Sequence, residues 1–243
     1  MTPSRTSIAL VTGANKGIGF EVARAIAKSG YVVLLGARNP TAGGEAADTL
    51  TREGLDTQFV ELDVTRAESI SAVAARIEAD FGKLDVLVNN AGIADPHDGP
   101  PSRASVDAIE RVLRTNFLGA VAVTQAVLPL LRKSDAGRIV NVSSDLGSIT
   151  RNGDPTWKYA SVKVLGYSAS KAALNMFTVQ LASELKNQGI AVNSVNPGFT
   201  GTDLNAHRGR QTVEEGAAEI VRVALQEHGP SGRFLESGGE LVW

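Results

Sequence analysis

Cysteine is absent from this 243-residue chain, and with it go disulfides, thiolate nucleophiles and cysteine-ligated metals. Histidine is scarce and scattered. His97, His207 and His228 lack metal-ligand spacing, so surface positions are expected and no metal site. Nowhere do about eighteen apolar residues run together, so no transmembrane helix is expected. The apolar stretch at 8–11, behind a polar opening, is far too short for a signal peptide. A formal net charge of −2 provides neither a basic field for nucleic acid nor a polybasic patch for a membrane. No proline- or glycine-rich linker and no internal repeat divides the chain. These absences point to a soluble, cytoplasmic protein, one domain over residues 1–243 with 1–6 as a flexible leader. A hydrophobic content of 43% suffices for a well-buried core.

What is present is an alternation of short β-branched or leucine-rich runs with helical patterns. Strands are predicted at 7–11, 31–35, 57–62, 84–89, 137–142, 190–195 and, weakly, 233–235. Their near-continuous apolar character suits a sheet covered on both faces, as parallel sheets are. Between them, Ile18, Val22, Ala25 and Ile26 share one helical face. Ile70, Val73, Ala74 and Ile77 share another, which Phe81 continues until Gly82 ends the helix. Val106, Ile109, Val112 and Leu113 begin a third, running toward Pro129. The expected fold is α/β, a single Rossmann-type doubly wound domain with right-handed crossovers. Residues 95–103, 145–166 and 199–211 fall outside the pattern and read as loops. All three follow the carboxyl end of a strand, where open α/β sheets bind ligands.

After the first strand stands Thr12-Gly13-Ala14-Asn15-Lys16-Gly17-Ile18-Gly19, opening a helix. Glycines let the backbone turn tightly toward an anion, and a helix start adds unpaired N–H groups and a positive dipole end. At the end of the second strand stands Arg38, 19 residues beyond Gly19, where an acid would bind a bare ribose and an arginine accommodates a 2′-phosphate. Lys16 offers a second cation to the same phosphate, so NADPH is expected over NADH.

Tyr167-Ser168-Ala169-Ser170-Lys171 places a phenol and an ammonium one helical turn apart. A nearby ammonium favours phenolate and would make Tyr167 a better acid–base group. Tyr159 and Lys163 have the same spacing, and spacing leaves both pairs open. Context leans to Tyr167, which opens an uninterrupted helical run, whereas the run after Tyr159 meets Gly166 within two turns.

Together with Asp63-Val64, Asn89-Asn90-Ala91-Gly92, Asn116, Val142-Ser143-Ser144 and Pro197-Gly198, these motifs resemble the short-chain dehydrogenase/reductase family over almost the whole chain. The resemblance implies a seven-stranded parallel sheet, a nicotinamide cofactor and an Asn-Ser-Tyr-Lys tetrad: Asn116, Ser144, Tyr167 and Lys171. Tyr167 would donate the proton, and Ser144 would hydrogen-bond the substrate oxygen. Lys171 would hold the nicotinamide ribose, and Asn116 would anchor a water relay. Cofactor contacts are implied for Gly13, Asn15, Lys16, Gly17, Ile18, Gly19, Arg38, Asp63, Val64, Asn89, Ala91, Gly92, Pro197, Gly198, Thr200 and Thr202, besides Tyr167 and Lys171. The family's usual distance from its tyrosine to the Pro-Gly pair fits Tyr167 and not Tyr159.

Tyr167 lies 23 residues after Ser144, more than the family's usual gap. That inserted substrate-side segment at 145–166 is reminiscent of the carbonyl-reductase branch, and it leaves monomer or homo-oligomer open. The expected activity is NADPH-dependent reduction of an aldehyde or ketone to an alcohol. Two alternatives are a 3-oxoacyl-carrier-protein reductase, docking through Arg103, Arg208 and Arg210, and a non-catalytic NADP-binding regulator.

Overall fold

The computed structural model describes residues 6–243; the leader expected at 1–6 lies, save Thr6, outside the described residues. The β-branched and leucine-rich runs form strands β1 (Ile8–Thr12), β2 (Val32–Ala37), β3 (Thr57–Glu61), β4 (Val86–Asn89), β5 (Gly137–Val142), β6 (Ile190–Val195), β7 (Phe234–Glu236) and β8 (Gly239–Glu240). The intervening helices are α1 (Gly17–Lys28), α2 (Pro40–Arg52), α3 (Ala67–Phe81), α4 (Val106–Leu113), α5 (Gly119–Leu131), α6 (Ile149–Asn152), α7 (Leu165–Glu184) and α8 (Val213–Leu225). All strands join one sheet in the order β3-β2-β1-β4-β5-β6-β7-β8. The first seven pair in parallel, as doubly wound folds require. The expected count of seven is corrected to eight, because β8 returns antiparallel on β7. Gly238 and Gly239 make that return at φ 99° and 154°. Two residues are too few for side-chain alternation to mark a strand in the sequence.

Strands β1, β2, β4, β5 and β6 each feed two cores. Leu10, Leu34 and Leu87 face α3, α5 and α7 alongside Ile77, Val127 and Leu181. Their chain neighbours Val11, Leu35 and Val88 face the opposite side with Ile26, Leu50 and Ile220. Burial on both faces explains why the strands read as unbroken apolar runs. Truncating a fully buried leucine such as Leu34 to alanine is expected to cost about 2–5 kcal/mol.

Two sequence boundaries are revised. The third helix does not stop short of Pro129. It continues through that residue to Leu131 and is interrupted instead by a π-helical turn at Arg114–Leu118. The segment read as loop 145–166 carries a 3-10 turn at Asp145–Gly147, the short helix α6 and the first residues of α7. Among the described residues no helix is long and apolar enough to cross a membrane.

Candidate active site

The carboxyl ends of β1, β4, β5 and β6 gather the motifs. In the turn after β1, Gly13 and Gly17 take φ of 65° and 59°, a region that disfavours any side chain. The turn is braced from β4. The Asn90 side chain donates to the carbonyls of Thr12 (2.9 Å) and Gly13 (3.1 Å), while Thr12 Oγ1 accepts from the amides of Asn90 and Ala91. A Cβ on Gly19 would stand 2.4 Å from Asn90 Nδ2 and 2.6 Å from the Gly13 carbonyl. Gly19→Ala is therefore expected to cost about 1–3 kcal/mol by overpacking and to abolish tight dinucleotide binding, measurable by thermal melting and NADPH fluorescence titration. Lys16 occupies the N-cap position of α1 and no side chain caps that helix, so the turn presents uncapped amides to an anion.

Arg38 emerges from the end of β2, exposed and without a hydrogen-bond or ion-pair partner among the described residues. Burial pushes the Asp63 carboxyl up. Hydrogen bonds from Thr65 and the charges of Arg38 and Arg66 outweigh it and hold Asp63 below the usual carboxylate range. Lys16 is engaged differently from its expected place: its ammonium pairs with Asp203 at 2.5 Å, and His207 meets the other oxygen of that carboxylate at 2.7 Å. Asp203 lies in the 199–211 segment, whose Thr202 sits over the glycine turn, 3.8 Å from where a Gly17 Cβ would be. The segment is thus latched to the turn by charge.

The tetrad residues come together from three elements. Asn116 lies in the π-helical turn, 1% exposed. Its Oδ1 accepts from the Ile93 amide, and its Nδ2 donates to the Ile93 carbonyl and to Ser170 Oγ. Ser170 in turn donates to the Tyr167 carbonyl at 2.7 Å. Lys171 is buried and donates to the Val142 carbonyl at 2.7 Å, with its ammonium 5.6 Å from the centre of the Tyr167 ring. A Cβ on Gly147 would lie 2.7 Å from Lys171 Cβ, so the glycine of the Ser-x-x-Gly motif is what lets α7 approach the strand end.

The titration of the pair differs from the expectation of a depressed phenol. Burial pushes Tyr167 up to about 12, aided by the Asp145 charge, while hydrogen bonding with Ser144 opposes it. Burial drives Lys171 down to about 8. Tyr167 is therefore a neutral phenol carrying a proton at physiological pH. Below pH 8 Lys171 is charged in both folded and unfolded chains, and its burial penalty is fully felt. Between 8 and 10.5 the folded chain sheds that proton first, so stability rises with pH by up to about 3 kcal/mol. Comparing denaturation of the wild type and Lys171→Met from pH 7 to 10 should show that rise only in the wild type.

The remaining positions sort by exposure. Val64, three residues past the end of β3, is buried against Gly119. Asn89 Nδ2 donates to Thr124 of α5 and to Asn141 of β5, while its buried Oδ1 has no partner among the described residues. Thr200 is buried against Gly216 of α8. Gly198 takes φ 77° after Pro197, and a Cβ on Gly92 would come no closer than 3.5 Å to Asn116 Oδ1. Tyr159 lies in a turn, not on a helix, so Lys163 shares no helical face with it. Its ring instead joins Trp157 (5.5 Å between centroids) and Phe199 (6.2 Å). Sequence reasoning put Asn90 only within the adenosine-side stretch Asn89 to Gly92, and foresaw neither its hold on the turn nor the contacts of Ser170 and Asp203. Their partners are 77, 54 and 187 residues away.

The family model for short chain dehydrogenase matches residues 7–213. The chain belongs to the short-chain dehydrogenase/reductase family. It is thereby an oxidoreductase of the CH–OH/C=O couple that works with a nicotinamide cofactor. Short-chain dehydrogenase/reductase 1 of Saponaria officinalis is 38% identical, over 93% of this chain and 92% of that protein. The (+)-neomenthol dehydrogenase of Arabidopsis thaliana is 36% identical over 93% and 95%. The crystal structure of NADPH-bound carbonyl reductase from chicken fatty liver superposes with a TM-score of 0.86, at 29% identity, covering 98% of this chain and all of that one.

Proposed function

We propose that the protein reduces an aldehyde or ketone to an alcohol with NADPH, Tyr167 donating the proton to the carbonyl oxygen. One observation carries the reading: a half-buried phenol stands beside a buried lysine at the strand ends, next to a glycine turn whose helix no side chain caps. Bound NADPH supplies the hydride that reaches the carbonyl carbon. The chain's residues do the rest. Ser144 and Tyr167 hydrogen-bond the carbonyl oxygen and stabilise the charge that develops on it. Tyr167 then gives up its proton, and Lys171 orients the cofactor ribose. Asn116, fixed on both sides by Ile93, holds the end of a proton-resupply path through water.

The glycine turn fits a pyrophosphate: no side chain caps the helix it opens, and its glycines leave no Cβ in the way. Gly13, Asn15, Gly17, Ile18 and Gly19 would hold that group, and Arg38 and Lys16 the 2′-phosphate. Asp63, Val64, Asn89, Ala91 and Gly92 would line the adenosine, and Pro197, Gly198, Thr200 and Thr202 the nicotinamide. A soluble cytoplasmic setting accords with the reducing cofactor. The test is loss of NADPH absorbance against a panel of aldehydes and ketones. Turnover with several carbonyls is the expected result; NADPH binding with none reduced would sink the reading.

Lys16 has to exchange Asp203 for the cofactor phosphate. Asp203→Asn removes the competing carboxylate and should tighten NADPH about two- to fivefold by relieving an exposed ion pair, read as Kd by fluorescence. An unchanged Kd would mean that the latch plays no part in binding.

A further inference from the structure

The start of α7 is capped from elsewhere. Helices α2, α4 and α8 are each capped by a side chain directly preceding them: Asn39, Ser105 and Thr212. At α7 that position is held by Val164, which has no side-chain acceptor. The first three amides of a helix have no partner inside it and need one. Here all three find it 66 to 69 residues upstream, on the dipeptide Asp98-Gly99. Leu165 donates to the Gly99 carbonyl at 3.0 Å. Gly166 donates to Asp98 Oδ1 and Tyr167 to Asp98 Oδ2, each at 2.8 Å. Asp98 Oδ1 also accepts from the Gly99 amide at 2.8 Å, so the carboxylate is locked in one orientation. Ser168 resumes the regular helical pattern by donating to Val164.

Gly166 makes the arrangement sterically possible. A Cβ there would stand 3.1 Å from the Ile109 backbone and 3.2 Å from Asp98 Oδ2, so a side chain would push the carboxylate and α4 away together. Tyr167 is the residue whose own amide the carboxylate grips, and Asp98 sits in the 95–103 loop at the carboxyl end of the sheet. We propose that Asp98 is a positioning residue that fixes where the Tyr167 phenol stands relative to Ser144, and so ties the conformation of the 95–103 loop to proton transfer. A carboxylate at a helix start is favourable; the distinctive consequence is geometric, because proton transfer falls steeply when its donor is displaced. Asparagine cannot replace it fully. It has one acceptor oxygen and would turn an amino group toward one of the two amides.

This inference rests on the proposed role of Tyr167, and the experiment keeps the two apart. Asp98→Asn and Asp98→Ala are measured at saturating NADPH beside Asn39→Ala, which removes a local cap at helix α2, away from Tyr167, and serves as a control for lost stability. With any carbonyl the wild type reduces, Asp98→Ala should lower kcat about 10–100-fold, Asp98→Asn less, with KM and the NADPH Kd within about twofold of wild type. Asn39→Ala should lose similar melting temperature and keep its kcat. An equal kcat loss in Asn39→Ala, or an unchanged kcat in Asp98→Ala, overturns the proposal. A second readout needs no turnover. The chain has three tyrosines, so ring-labelled tyrosine gives three assignable NMR signals. The Tyr167 signal should shift in Asp98→Ala while those of Tyr31 and Tyr159 stay. An unmoved Tyr167 signal overturns the positioning role whether or not the protein is a carbonyl reductase, whereas a shifted signal without any turnover would leave it standing and remove the functional reading.

Discussion

Tyr167→Phe is expected to lower kcat by about 10³-fold, within the range that general acid catalysis contributes, while NADPH binding stays within about twofold of wild type. The substitution removes one oxygen and keeps the ring, so the packing of α7 against β5 is preserved and the effect is confined to chemistry. Two losses coincide: the proton that Tyr167 carries as a neutral phenol, and one of the two hydroxyls that would hold the developing alkoxide. Ser144→Ala loses only the second and should fall about 10²-fold, the cost of one oxyanion donor. Tyr159→Phe should keep full turnover, since its ring contacts Trp157 and Phe199 rather than Lys171. Steady-state kinetics with a saturating carbonyl, beside fluorescence titration of NADPH, separates these outcomes. Near-normal turnover in Tyr167→Phe refutes the proton-donor assignment.

The second large effect concerns the cofactor. Arg38→Asp should lower kcat/KM for NADPH by about 10²–10³, the loss expected when a charge-assisted contact becomes a repulsion of several kcal/mol, and should leave NADH use unchanged or improved. Arg38 should dominate over Lys16 for a structural reason. The guanidinium has no hydrogen-bond or ion-pair partner among the described residues, whereas the ammonium must first leave Asp203. Lys16→Ala should accordingly cost less, about tenfold. If Arg38→Asp leaves the ratio of the two cofactors intact, the 2′-phosphate site lies elsewhere.

How much of this was legible beforehand depended on the range of the interactions involved. The central strands β1, β2, β4, β5 and β6 announced themselves because both faces of the sheet are buried there, which writes a near-continuous apolar run into each, whereas β7 was only weakly marked. The glycine turn was equally visible, since positive φ at Gly13 and Gly17 demands the residue itself. Lys171 and Tyr167 were legible as a pair but not as a titration. Spacing shows an ammonium near a phenol and nothing of the burial that raises one pKa and lowers the other. Strand β8 escaped because two residues carry no period. The hold of Asn90 on the turn, the latch of Asp203 and the cap from Asp98 all join residues far apart in the chain, and no local pattern records them. The sequence opened helix α7 at Tyr167, two residues late; Val164, standing where a capping oxygen belongs, is the local signal that the cap comes from elsewhere.

The π-helical turn at Arg114–Leu118 has a consequence for chain length. It accommodates one residue beyond what a regular α-helix would use, and that surplus lets Asn116 turn inward to reach both Ile93 and Ser170. Deleting Thr115 would restore uninterrupted i→i+4 bonding and rotate the helix on one side of the cut by about 100° relative to the other. The shortened chain would read as a better helix by propensity alone, yet its asparagine would point elsewhere. At this turn, tolerance to single-residue insertion and deletion should be far lower than tolerance to substitution at Arg114, Thr115 or Leu118.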